Sequence, residues 1–299
     1  MVAFIDEHRG QFGVQPICQV LAGHGVAIAP STYYAARERP PPARACRDAA
    51  LTAEITRVFK ENGEVYGARK VWLELRREHI GCARCTVERL MRAAGLRGVR
   101  RGRRTRTTIP ARRESWPPDL VNRSFTAEAP NRLWVVDITY VPLAAGGFAY
   151  TAFVIDAFSR MITGWKVAGH MRASLALDAL EMAVSARLRA GQQVAGVIHH
   201  GDRGGQYLAI RYTTRLAEAG AIASVGSKGD SYDNALAETI IGLYKAELIR
   251  HRGPWHSVAL AEAATAWWVG WFNNRRLYGP LGDIPPAEYE QNWLKGQQP

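Results

Sequence analysis

Cysteine is scarce: four residues in a chain of 299 are too few for a disulfide framework, so a reducing cytoplasm is expected. Two of them form Cys82-Ala83-Arg84-Cys85, but a structural zinc needs a second ligand pair at a defined distance, and none follows nearby. Long apolar runs are missing too. The most apolar late stretch, Ala263 to Phe272, falls short of the roughly 20 residues that span a bilayer. No signal peptide is expected, because Asp6, Glu7, His8 and Arg9 interrupt the start before an apolar segment forms. Acidic residues are in deficit, 27 against 39 Lys and Arg, for a net charge of +12. That balance points to a polyanionic partner, nucleic acid first and an acidic membrane surface second; a merely basic soluble surface is the plainer alternative. Hydrophobic content of 47% supports a packed core and argues against a disordered chain.

Residues 2 to 38 read as helical, with Pro16 in a first turn and Ser31 as the N-cap of a short helix carrying Tyr33 and Tyr34. This segment, 1–42, fits a small helix-turn-helix and a packing appendage equally well. The run Pro40 to Pro42 marks a linker. Residues 43–98 show a three-helix pattern: Leu51, Ile55 and Phe59, then Val71 and Leu75 with Trp72, then Val87, Leu90, Met91 and Ala94, closed by Gly95. The other face of the third helix carries Arg84, Arg89 and Arg92, as a DNA recognition helix would; a solvated charged face is the alternative. A basic linker, 99–128, follows. From Arg97 to Arg113 the chain holds eight arginines (97, 100, 101, 103, 104, 106, 112 and 113) and no acidic residue, an arm suited to salt-sensitive phosphate binding.

From Asn131 the pattern becomes strand-like. Leu133 to Val141, Phe148 to Phe158 and Met161 to Ala168 predict an antiparallel meander turned at Gly146-Gly147. A helix over 173–189 follows, with Leu175, Ala179, Met182 and Leu188 inward; then come a strand over Val194 to His199, a helix over about 209–219 and a strand over Ala221 to Val225. The expectation is an α/β fold over 129–295: a ribonuclease H-like mixed sheet flanked by helices, preceded by an all-α helix-turn-helix region.

Three carboxylates carry the chemistry. Asp137 sits mid-strand among Val135, Val136 and Ile138, where a charge is costly unless compensated. Asp202 follows the fourth strand in HHGDRGGQY, and Glu238 lies on a helix starting near Asp233. Three hard oxygen donors from separate elements suit Mg²⁺, with Mn²⁺ as a substitute. Lys245, seven residues past Glu238, falls on the same helical face and is placed to hold a DNA phosphate; Arg203 is a second phosphate candidate. Arg89, Arg92, Arg100, Arg101, Arg103, Arg104 and Arg106 complete the candidate DNA contacts, and Arg275 and Arg276 add to them. His199 reads as a core residue, Asp156 as a strand-end residue, and Trp267, Trp268, Trp271 and Phe272 as core or subunit interface.

LWVVDITYV, VIHHGDRGGQY and GSKGDSYDNALAETIIGLYKAEL resemble the three blocks of bacterial insertion-sequence transposases with a retroviral-integrase-like core, of the orfB type in the insertion-sequence-three family. FIDEHRGQF, YGARKVWLELRRE, TVERLMRAAGLRG and WFNNRRLYGPLG extend the resemblance over almost the whole chain. It departs at Gly201, where serine is usual, at Tyr278, where histidine is common, and in a longer Gly23–Pro30 region. The resemblance implies an Asp–Asp–Glu recombinase with Asp137, Asp202 and Glu238 as metal ligands. Water cleaves the donor ends, and the freed 3′-hydroxyl attacks a phosphodiester. Neither a covalent protein–DNA intermediate nor a nucleotide cofactor is implied, in keeping with the lack of a phosphate-cradling P-loop sequence. It also implies element ends and target DNA as partners, a homo-oligomer on DNA, and an upstream frameshift-fused helix-turn-helix partner. The expected location is cytoplasmic and nucleoid-associated, without a membrane. Competing readings are a nuclease or resolvase on the same fold, a DNA-binding protein with vestigial carboxylates, and a zinc protein built on Cys82 and Cys85.

Overall fold

The computed structural model describes residues 1–100, 121, 126–201, 209–225 and 235–296. They fall into two compact units, Met1–Thr56 and Arg57–Pro299. The first holds helices α1 (Val2–Phe12), α2 (Val14–Gly23) and α3 (Pro30–Glu38), and most of α4 (Ala43–Glu61). Its small core gathers Ile5, Ile17, Cys18 and Tyr33, and the Tyr33 hydroxyl donates to Asp6 at 2.6 Å. Ser31 is not the N-cap of α3. The helix starts two residues earlier, on Pro30, whose fixed φ suits a first helical position, and Ala29 takes the cap.

In the second unit, α5 (Ala68–Arg77) packs against α6 (Arg84–Ala93) through Val71, Leu75, Val87, Leu90 and Met91. Gly95, at φ +70°, follows the last turn of α6 where a left-handed residue ends a helix.

Among the described residues, five strands form one sheet in the order β3-β2-β1-β4-β5. β1 (Leu133–Pro142), β2 (Phe148–Asp156) and β3 (Ile162–Ala168) are antiparallel neighbours, while β4 (Ile198–Gly201) runs parallel to β1 and β5 (Ile222–Val225) parallel to β4. This is the mixed sheet expected of the ribonuclease H-like fold. Alternate residues of the central strands serve two different layers. Trp134, Val136, Ala152 and Val154 meet α7 (Ala173–Arg189) and Tyr212 and Leu216 of α8 (Ile210–Glu218). The other face meets α9 (Ala235–Tyr244) and α11 (Val258–Asn274): Phe153 touches the rings of Tyr244 and Trp268 at centroid distances of 5.0 and 6.5 Å. A Cβ at Gly164 would lie 2.1 Å from the Ala179 carbonyl oxygen, so only glycine lets β3 approach α7 this closely.

Two expectations are corrected. The buried stripe of α7 runs through Ala176, Ala179, Leu180, Ala183, Val184 and Arg187, whereas Met182 and Leu188 are 37% and 58% exposed. Leu175 and Leu180 pack with the small residues of this helix against the sheet, whereas Met182 and Leu188 fall on its outer face. β4 starts at Ile198 rather than Val194; Val194 and Val197 are buried but lie in a turn closed by Gly196 at φ +81°.

Arg187 is the surprise of α7. Its guanidinium is buried between Asp156, at the end of β2, and Glu290 on α12 (Pro286–Gly296). Asp156 also accepts from the backbone N–H groups of Asn131 at 2.7 Å and Ser159 at 3.0 Å. Burial alone would raise the Glu290 pKa, but the Arg187 hydrogen bonds and charge hold it below the usual carboxylate range. Arg187→Met should leave two buried carboxylates uncompensated and cost about 3–5 kcal/mol of unfolding free energy in denaturant titration. Adding Asp156→Asn and Glu290→Gln should recover most of that loss. A single-variant loss below about 1 kcal/mol would show that the cluster is not a structural keystone.

Candidate active site

Asp137 pairs with Phe153 across β1 and β2, which puts its side chain on the α9/α11 face of the sheet. It is half-buried, and its carboxylate accepts from the Ile138 N–H at 2.7 Å. α9 packs against β1 and carries Glu238, also half-buried, in its first turn, where the helix dipole favours a negative charge.

At Lys245 the helix changes to a π-turn, Lys245–Ile249, which merges into α10 (Arg250–Arg252). Burial lowers the Lys245 pKa; the Asp137 carboxylate raises it and Arg250 lowers it further. Lys245 and Asp137 therefore share one electrostatic environment. Asp202 and Arg203 lie outside the described residues. The residue before them, Gly201, pairs with Val136, the immediate neighbour of Asp137.

An integrase core domain family model matches residues 127–231, and a second integrase core model matches 220–286. An HTH-like domain model matches residues 46–104. A Mycobacterium tuberculosis protein assigned as transposase of insertion sequence element IS986/IS6110 is 56% identical over 272 residues, covering 91% of this chain and 98% of that protein. The transposase for insertion sequence element IS629 of Shigella sonnei is 51% identical over 296 residues, covering 97% of this chain and 96% of that protein. The chain belongs to the insertion-sequence transposases.

In this transposase the helix bearing Glu238 is anchored at both faces of its last turns. The Tyr244 hydroxyl bonds Thr265 at 2.7 Å and Thr151 of β2 at 3.2 Å. Glu247, in the π-turn, is buried and accepts from Arg276 Nε at 2.9 Å. The Arg276 guanidinium lies within 5.5 Å of the Phe272 and Tyr278 ring centres and 5.9 Å of Trp271. The expectation that Arg276 contacts DNA is therefore corrected: it is 4% exposed and committed to Glu247. Arg275 is about half exposed and pairs with Glu61 at 3.0 Å.

Sequence reasoning passed over the Glu247–Arg276 pair. The available signal was an acidic residue amid Ala246, Leu248 and Ile249, where a charge needs a partner. Trp268, Trp271 and Phe272 are buried, whereas Trp267 is 39% exposed and stacks on Trp271. Arg89, Arg92 and Arg100 are exposed, and Arg101, Arg103, Arg104 and Arg106 lie outside the described residues. The Cys82 carbonyl accepts from Trp72 Nε1 at 3.0 Å, and no cluster of three metal-ligating side chains occurs among the described residues. Among those residues no helix is long and apolar enough to cross a membrane.

His199 is a core residue, 3% exposed, with Nε2 at 2.8 Å from the Tyr212 hydroxyl. Burial pushes its pKa down to about 3 from 6.5, so the unfolded chain binds the extra proton first. Its contribution to stability is complete above pH 6.5 and is lost as pH falls toward 3. Between these limits the wild type should lose up to about 1.4 kcal/mol per pH unit more than His199→Gln, measured by denaturant unfolding across pH. Equal slopes for the two proteins would refute this assignment.

Proposed function

We propose that this transposase cleaves the ends of its element and joins the freed 3′-hydroxyls to target DNA, with Asp137, Asp202 and Glu238 as the acidic triad. The observation that carries the reading is the meeting of Asp137, the Glu238 helix and Lys245 on one face of the sheet. The donor set is all carboxylate, a match for Mg²⁺ or Mn²⁺ rather than a softer metal. Those three side chains would hold the ions. When bound, such ions neutralise phosphate charge and favour in-line displacement at phosphorus.

The chain's own residues supply the rest. The Lys245 ammonium, drawn partly out of water beside Asp137, is set to hold a non-bridging phosphate oxygen. Arg203, Arg89 and Arg92, and the arm residues Arg100, Arg101, Arg103, Arg104 and Arg106, bind the DNA backbone. In this reading residues 1–42 are an N-terminal helical segment, 43–98 the DNA-binding domain, 99–128 a basic linker and 129–295 the catalytic core. Two DNA ends must be held together, so the working form is a homo-oligomer on DNA. An upstream frameshift-fused segment would add recognition of the terminal repeats, and the bacterial nucleoid is the site of action.

The test is a strand-transfer assay with labelled element ends and Mg²⁺. Asp137→Asn, Asp202→Asn and Glu238→Gln should each lower cleavage and joining by at least ~10³-fold, as expected when several kcal/mol of charge stabilisation is lost, while DNA binding stays near wild type. Full joining by any one of these variants would sink the triad. Cleavage without joining by the wild type would favour a nuclease.

A further inference from the structure

A cavity of about 540 Å³ opens between the α5–α6 pair and the end of the Glu238 helix. Its wall includes Gly67 and Ala68 at the start of α5, Leu243 and Ala246 on the catalytic helix, and Val99. Four cationic side chains line it, Arg69, Lys70, Arg84 and Arg276, against two carboxylates, Glu88 and Glu247. The arginines are engaged. Arg69 holds Asp283 at 2.6 and 3.0 Å, Arg84 holds Glu88 at 2.8 Å, and Arg276 holds Glu247. Among the described residues no carboxylate lies within ion-pair distance of Lys70; Glu247 and Asp283 act on it from further away, and its ammonium sits 5.2 Å from the Tyr66 ring centre.

We propose that Lys70 anchors a phosphodiester-binding site in this cavity, where one backbone phosphate of the DNA lies between the α5–α6 pair and the Glu238 helix. The proposal rests on the reading of the chain as a DNA-joining enzyme and adds a phosphate subsite outside the triad. A half-buried ammonium with no carboxylate in direct contact is poorly compensated for its lost hydration, and an entering anion would supply that contact. The cavity size suits a phosphate with its sugar. The surroundings favour a polynucleotide over a small anion. α6 presents exposed Arg84, Arg89 and Arg92 beside it, and Val99 of the wall directly precedes Arg100 and the arginine-rich stretch. A phosphate held there would touch the turns that flank Lys245, tying the path of the DNA to the catalytic face.

The electrostatics point the same way. Burial pulls the Lys70 pKa down to about 7, Arg276 and Arg69 lower it, and Glu247 and Asp283 raise it. Arg84 and Glu88 face the cavity from α6, and Tyr66 covers the ammonium. An entering phosphate raises that pKa, so binding takes up a proton.

The experiment measures binding of a random-sequence DNA duplex to the full chain without metal, as a function of salt and pH. At about pH 6, Lys70→Gln should reduce the slope of log affinity against log salt by about 0.9, the loss of one phosphate contact, while Lys70→Arg keeps the wild-type slope. Between about pH 6 and about pH 8 the wild type should lose about tenfold in affinity relative to Lys70→Arg, whose charge does not titrate. Acylation footprinting of the wild-type protein avoids any folding defect of the variants. Lys70 should be protected by the duplex and not by inorganic phosphate at the same phosphate concentration. Equal salt slopes for wild type and Lys70→Gln, labelling of Lys70 unchanged by DNA, or protection by inorganic phosphate alone would each overturn the proposal. Strand transfer is not read in these measurements, so a failed joining reaction and a failed phosphate site give separable results.

Discussion

A buried guanidinium gripping a buried carboxylate holds the last turns of the helix that carries Glu238. Arg276 and Glu247 are both nearly inaccessible to water, and neither would be tolerated there alone. Together, inside a cage of Trp271, Phe272 and Tyr278, they tie the π-turn to the segment that follows α11. A π-turn holds one residue more than an α-turn, a register that tends to survive only where surrounding contacts over-determine it. The pair supplies that determination two residues beyond Lys245. Tyr244 secures the preceding turn through Thr151 and Thr265. The helix that presents Glu238 is thus clamped to β2 and α11 from its own far end.

The same segment also supports α5 and the residues that precede it. The Tyr66 hydroxyl accepts from the Leu277 N–H at 2.7 Å, next to Arg276, and Trp271 Nε1 donates to Asn62 at 3.0 Å. Arg69 and Arg77 of α5 reach Asp283 and Glu288. These exposed ion pairs are individually weak, but the buried hydrogen bonds beneath them are not easily given up. Within the unit that begins at Arg57, the helices around α5 and the helix that carries Glu238 share one set of supports.

Much of this architecture was legible in the residues. β1 and α7 end within one residue of where their apolar patterns end, and both are long elements with strong periodicity. Errors fell where pattern and packing part company. Met182 and Leu188 were assigned inward on hydrophobicity, yet the stripe that faces the sheet runs through Ala176, Ala179, Leu180 and Ala183, with Ala179 and Ala183 against Gly164, and leaves those two on the other side of the helix. Val194 and Val197 are buried, as their apolarity implies, but Gly196 makes that stretch a turn. Arg276 sits in a basic dipeptide whose two members look alike in sequence; one faces solvent and the other the core. No one-dimensional signal separates them, because the deciding partner, Glu247, is 29 positions away. Asp137 stands out in the sequence for the opposite reason, since a carboxylate in a β-branched run announces its own cost, and the structure leaves it half-buried on β1.

The Arg187 cluster bears on how the polypeptide matures at the ribosome. Its two acids come from opposite directions along the chain: Asp156 precedes the arginine by 31 positions and Glu290 follows it by 103. Until α12 emerges, a nascent sheet carries a guanidinium with only half of its eventual carboxylate shell. The cluster can close only once position 290 has joined the chain. A chain ending before Glu290 would leave Arg187 with Asp156 as its remaining acidic partner in the cluster.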